Sequence, residues 1–158
     1  MNFKEVAIKA AKEAGKIHLK YFNTELKINH KSGPNDRVTI ADLESEKAIV
    51  DIIKGQFPEH NILAEEAKYE KTDSEYRWII DPLDGTNNFS HGMPFFCCSI
   101  ALEKSNELIL GVVFDPIRKE LFLAEKGKGS TLNGKKINVS KNKDMNDCLL
   151  IAGFHYNR

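Results

Sequence analysis

An α+β fold, with two N-terminal helices layered on a largely antiparallel sheet, is the class this sequence predicts. Apolar residues first recur with a helical period. From about residue 61 they fall into short strand-like runs. The runs are separated by turn signals such as Asp115-Pro116 and Asn133-Gly134. Two helices followed by close-spaced strands make helices packed on a sheet the economical arrangement.

The elements follow in order. Phe3, Val6, Ala7, Ala10, Ala14, Ile17 and Tyr21 share one helical face, which predicts an amphipathic helix over 3–22. The polar stretch 27–37, with Gly33-Pro34-Asn35, reads as a loop. A second helix is expected from Ile40 to Gln56, with Leu43, Ile49, Val50 and Ile53 on its apolar face and Pro58 as its stop. Strands are expected at 61–65, 77–81, 95–103, 108–115, 119–126 and 148–154. Asn133-Gly134 carries the type I′ hairpin signature.

Composition narrows the function. The 158 residues hold 23 Lys+Arg and 23 Asp+Glu, a net charge of zero, which argues against a broad nucleic-acid or anionic-membrane surface. With 41% hydrophobic and 29% charged residues the chain reads as globular, and no apolar run approaches a membrane span. The length suits one domain. The N-terminal stretch mixes charges throughout and shows no secretory h-region. Three cysteines, with Cys97 and Cys98 adjacent and Cys148 remote, form neither a disulfide framework nor a zinc spacing. Reduced thiols in a cytoplasmic protein are the expectation.

The densest polar cluster is WIIDPLDGTNNF, 78–89. An apolar strand delivers Asp81 to its end, and Pro82, lacking an N–H, is expected to stop the ladder. Asp84 follows, with the Leu83 carbonyl between the two carboxylates. Such hard oxygens suit Mg²⁺. Gly85 permits close backbone approach, and the N–H groups of Gly85 and Thr86 could hold a phosphate. By itself Asp-Pro-x-Asp-Gly also fits an ordinary tight turn. A second acidic pair, Glu65-Glu66, ends another apolar strand, and neighbouring strand ends bring their loops together. Several carboxylates in one place repel each other without a cation. Thr39-x-x-Asp42 also fits a helix capping box. His91 reads as a loop hydrogen-bonding residue, and Lys31 as a weak site candidate.

DPLDGTNNF (81–89) resembles the D-P-(I/L)-D-G-T-x-N-F signature of the inositol monophosphatase family of lithium-sensitive, magnesium-dependent phosphatases. AEE (64–66), KSGPNDRVTIAD (31–42), the hairpin region 111–140 and LLIAGFHYNR (149–158) resemble other elements of the same family, so the match runs along nearly the whole chain. The resemblance implies part of an αβαβα sugar-phosphatase fold. It implies that Glu66, Asp81 and the Leu83 carbonyl hold a first Mg²⁺, that Asp81 and Asp84 share a second, and that Glu66 helps hold a third through waters. It assigns phosphate binding to Gly85 and Thr86, orientation of the attacking water to Thr86 and Asp42, and polyol contacts to Asp84. A small phosphorylated polyol or sugar is the implied partner, with a homodimer as the common assembly.

The chain departs from that pattern in one respect. Family members continue into a second α/β layer bearing a W-D-x-A-G-type motif. Here the one tryptophan, Trp78, precedes Ile79. Residues 1–158 are therefore expected to be the N-terminal metal-binding portion of the fold, with three of the four usual metal carboxylates and an uncovered apolar face that favours self-association. The expected activity is Mg²⁺-dependent hydrolysis of inositol monophosphate. Fructose-1,6-bisphosphatase or 3′(2′),5′-bisphosphate nucleotidase activity is the alternative within the enzyme class. A non-catalytic metal- and phosphate-binding module is the alternative outside it.

Overall fold

The computed structural model describes residues 1–25, 29–30 and 37–149. Lys31 and all but the first two residues of the expected strand 148–154 lie outside the described residues.

The first helix, α1 (Phe3–Tyr21), starts at a capping box: the Asn2 side chain accepts from Glu5 N–H, and Glu5 accepts from Asn2 N–H. Its buried stripe is almost all small: Val6, Ala7, Ala10, Ala11, Ala14 and Gly15, ending at His18. Small residues allow close approach to α2 (Ile40–Lys54) and to the sheet. At Gly15 a Cβ would stand 2.5 Å from the Phe114 ring. Both helices lie where expected, and α2 ends two residues earlier than Gln56, with the Gly55 N–H bonded to Asp51 O.

Between the helices a two-residue ladder pairs β1 (Asn29–His30) with β2 (Arg37–Val38), inside the stretch read as loop. The main sheet has seven strands in sequence order: β3 (Asn61–Ala64), β4 (Tyr76–Asp84), β5 (Cys97–Lys104), β6 (Glu107–Asp115), β7 (Glu120–Glu125), β8 (Gly129–Leu132) and β9 (Lys135–Ile137). β3 and β4 are parallel, and every other neighbouring pair is antiparallel. The α+β expectation is met. At the β8–β9 turn Asn133 has φ 49° and Gly134 φ 80°, the two positive angles a type I′ turn requires.

One face of the sheet is covered by the helices and holds the core: Trp78, Ile80, Ile100, Leu102, Val112 and Leu123. The opposite face carries the alternate residues, among them Ile79, Val113 and Phe122, with Leu63 49% exposed.

Pro82 does not end its strand, as expected from sequence. β4 continues to Asp84 across a register shift: Asp81 pairs with Ser99, and the next pair is Asp84 with Cys97. A bulge is where a proline costs no ladder bond, because the residues inside it have no partner to donate to. Beneath this corner Ala41, Leu83, Phe89 and Phe96 form a second apolar cluster, with Phe89 and Phe96 edge to face at 4.9 Å.

Candidate active site at the acidic strand ends

Because β3 and β4 are parallel, their C-terminal ends leave the sheet at the same edge. Leu63 pairs with Ile79 and Ala64 with Ile80. Just past the last paired residues, Glu65 comes within hydrogen-bonding reach of the Asp81 carboxyl. The electrostatics agree. Burial pushes the Asp81 carboxyl up to about 7, reinforced by the neighbouring Glu65 and then Asp84 carboxylates. Asp81 Oδ1 is buried without a hydrogen-bond partner among the described residues. Glu66 meets α2 instead, donating its backbone N–H to Glu46 Oε2 at 2.7 Å. The sequence marks Glu65 only as half of the acidic pair Glu65-Glu66, and the family resemblance points to Glu66; the neighbour of Asp81 in the structure is Glu65. The register of NILAEE with WIID is the signal that separates it from Glu66.

Asp84 is exposed and accepts from the Cys97 thiol at 3.8 Å. Burial and the nearby carboxylates push that thiol up to about 12, so Cys97 is no nucleophile. Gly85 has φ 94°, and a Cβ there would stand 3.0 Å from Phe95 O. Only glycine makes this turn without strain. The short helix α3 (Thr86–Ser90) begins directly after it. A cavity of about 340 Å³ borders the corner, lined by residues that include Asp84, Gly85, Asn88, Phe96, Cys97 and Arg118.

Thr86 Oγ1 lies 2.9 Å from Asp42 Oδ1 and 3.0 Å from the Leu83 carbonyl. The hydroxyl has one proton and two acceptors in reach, so it donates to one at a time. Asp42 is 1% exposed, and its other oxygen, Oδ2, accepts from Thr39 N–H at 2.8 Å and Thr39 Oγ1 at 2.6 Å. Asp42 therefore serves two groups at once, one per carboxylate oxygen: Oδ2 caps α2 and Oδ1 accepts from Thr86. Burial pushes its carboxyl up, opposed by the bonds from Thr39 and Thr86.

A third support comes from α1. His18, fully buried, donates Nε2–H to Pro82 O at 2.9 Å, between the rings of Phe89 and Phe96. Consecutive carbonyls alternate along a strand. Pinning Pro82 O one way thus favours Leu83 O the other way, toward Thr86. Burial holds the imidazole down at about 4, so it is neutral at pH 7. His18 stands in no metal-ligand spacing; its signal is its place in the phase of Ala7, Ala11 and Ala14. His91, as expected, bonds within its loop, Nδ1 to Asn87 O at 2.7 Å.

Among the described residues, no group of three acidic, histidine or cysteine side chains already stands in ion-holding geometry. The donor chemistry nevertheless fits a hard divalent cation: the Asp81 carboxylate, whose Oδ1 is buried without a partner among the described residues, has Glu65 and Asp84 as acidic neighbours and the Leu83 carbonyl two residues on.

These features define an α+β protein with an acidic site at the ends of parallel strands. The inositol monophosphatase family profile matches residues 2–158, and the chain belongs to that family. It is 41% identical over 153 residues to the Nus factor SuhB of Haemophilus influenzae, covering 96% of this chain and 57% of that protein. The chain thus spans little more than half the length of such relatives. The Thermotoga maritima IMPase superposes with a TM-score of 0.84 at 40% identity, over 90% of this chain and 55% of that one. An IMPase/NADP phosphatase complexed with Mg²⁺ and phosphate superposes at 0.70 with 29% identity, over 79% of this chain and 48% of that one.

Proposed function

We propose that the chain carries the acidic corner of a Mg²⁺-dependent phosphatase that hydrolyses a phosphate monoester, with inositol monophosphate as the first substrate to test. The observation that supports this most directly is the Thr86 hydroxyl held by buried Asp42 at 2.9 Å, next to an Asp81 carboxyl flanked by two more acids. Asp81, Asp84 and the Leu83 carbonyl remain the proposed cation donors, and the register favours Glu65 over Glu66 as the fourth. Divalent cations bound there supply the charge that neutralises phosphoryl oxygens and acidifies a water.

The chain's own residues complete the scheme. With its proton donated to Asp42, the Thr86 oxygen offers lone pairs to an attacking water and receives its hydrogen bond. Asp42 takes up the charge change through that same bond. The N–H groups of Gly85 and Thr86, at the left-handed turn, would bind the phosphate, and Asp84 is exposed enough to meet a polyol hydroxyl. Fructose 1,6-bisphosphate and nucleotide 3′(2′),5′-bisphosphates are the competing substrates.

The test is phosphate release by the protein in its natural length, with and without Mg²⁺, across a panel of these esters and with added Li⁺. Metal-dependent release from inositol monophosphate, lost in Asp81→Asn and inhibited by Li⁺, is expected. Silence on every ester overturns the reading.

A second reading follows from the SuhB relatives, which are named as Nus factors. In that reading the fold acts as a Nus factor and turnover is dispensable. A cell that depends on this protein and grows unimpaired with Asp81→Asn, but not without the protein, would favour it.

A further inference from the structure

We propose that Glu46 is a positioning residue for the acidic corner, and that α2 is the rail that spaces the two halves of the site. This rests on the reading of the corner as a divalent-cation site.

Asp42 and Glu46 are one helical turn apart, on the same buried face of α2, at 1% and 2% exposure. Each holds a different corner. Asp42 holds Thr86, after β4. Glu46 holds the connection after β3: Oε2 accepts Glu66 N–H at 2.7 Å and Oε1 accepts Tyr69 OH at 3.0 Å. A buried carboxylate is costly unless its oxygens are bonded, and both oxygens here are bonded.

That connection, 65–75, has no helix or strand of its own. Its far end is tied by Asn61, which donates to Thr72 O and Ser74 O and accepts from Thr72 N–H. Its near end depends on Glu46. The Glu66 N–H lies in the same rigid peptide plane as the Glu65 carbonyl. Fixing that plane fixes the ψ of Glu65, and with it the direction in which the Glu65 side chain leaves the backbone beside Asp81. The four residues from Asp42 to Glu46 rise about 6 Å along the helix, so the rail sets the spacing of the Thr86 and Glu65 corners to within the stiffness of that turn.

The experiment measures Mn²⁺ binding to the chain by electron paramagnetic resonance at 15 °C, together with the thermal midpoint. It compares wild type, Glu46→Ala, Glu46→Gln, Glu46→Asp and Tyr69→Phe. Glu46→Gln keeps an oxygen for the Glu66 N–H and should bind within about threefold of wild type, whereas Glu46→Ala should bind about 10–100-fold more weakly. Tyr69→Phe leaves the Glu66 bond intact and should lower the midpoint without weakening binding, which a purely structural role for Glu46 would not separate. Where Glu46→Ala fails to fold, Glu46→Asp, charged but too short to reach, takes its place. Undiminished binding by a folded Ala or Asp variant overturns this inference alone. Wild-type chain with no saturable binding that Asp81→Asn abolishes overturns the cation reading and this inference together.

Discussion

Asp42 shows how two demands share one side chain. Replacing it with Asn keeps an oxygen for the Thr39 N–H but presents an N–H₂ to Thr86, so the Thr86 hydroxyl must turn its proton away. We expect Asp42→Asn to fold and to lose about 10²–10⁴-fold in kcat, the usual scale for a positioned proton acceptor, as measured by phosphate release. Gly85→Ala meets both a φ of 94° and a backbone oxygen 3.0 Å away, so it should lose about 1–2 kcal/mol or more in urea denaturation. His18 makes a pH prediction. Its folded pKa of about 4 lies below the ordinary 6.5, so its contribution is intact above pH 6.5 and is lost as pH falls toward 4, by about 3 kcal/mol in all. His18→Gln keeps a donor for Pro82 O without that loss. Its stability relative to wild type should therefore improve steadily from pH 6.5 to 4, and a flat difference would refute a neutral, buried imidazole. At this scale the signature residues were readable as chemistry, because Asp, Gly and Thr at 81–86 each have few other uses in that pattern. The choice between Glu65 and Glu66 was not, since adjacent residues differ only in the face they take.

Among the elements, α1 was readable to within a residue because its small apolar stripe is continuous and its capping residues are local. Its closeness to the sheet was not, since Gly15 says nothing until Phe114, 99 positions on in the chain, is seen against it. Gly15→Ala should cost about 1–3 kcal/mol by crowding that ring and Pro116, read as a lower denaturation midpoint. The β4 extension was misjudged for a related reason. Proline forbids a ladder donor, but only the pairing of Asp81 with Ser99 and Asp84 with Cys97 reveals that no donor was needed between them.

For the whole molecule, the sheet has one face under helices and one with apolar side chains in contact with solvent, including Leu63 at 49% and Ile137 at 37% exposure. Such a surface favours association. The 158-residue chain should sediment above 17.9 kDa at tens of micromolar, and a strict monomer would count against it. The acidic corner adds a second pH effect of opposite sign to His18. Asp81, raised to about 7, is costly when charged, and a bound cation relieves that cost. Stabilisation by Mg²⁺ should therefore be greater at pH 8 than at pH 6, measured as the shift in thermal midpoint.

The features legible in the linear chain are local and periodic: the two helices, the hairpin at Asn133-Gly134, the acidic signature and the capping pair Thr39–Asp42. These depend on propensity, alternation and near neighbours, which a linear string carries. Long-range packing sets that β3 runs parallel to β4, that Glu65 lies against Asp81, and that Asp42, Glu46 and His18 reach the corner from two helices. Those are contacts between residues 16 to 64 positions apart, and their partners are chosen by packing geometry that no short stretch of chain encodes.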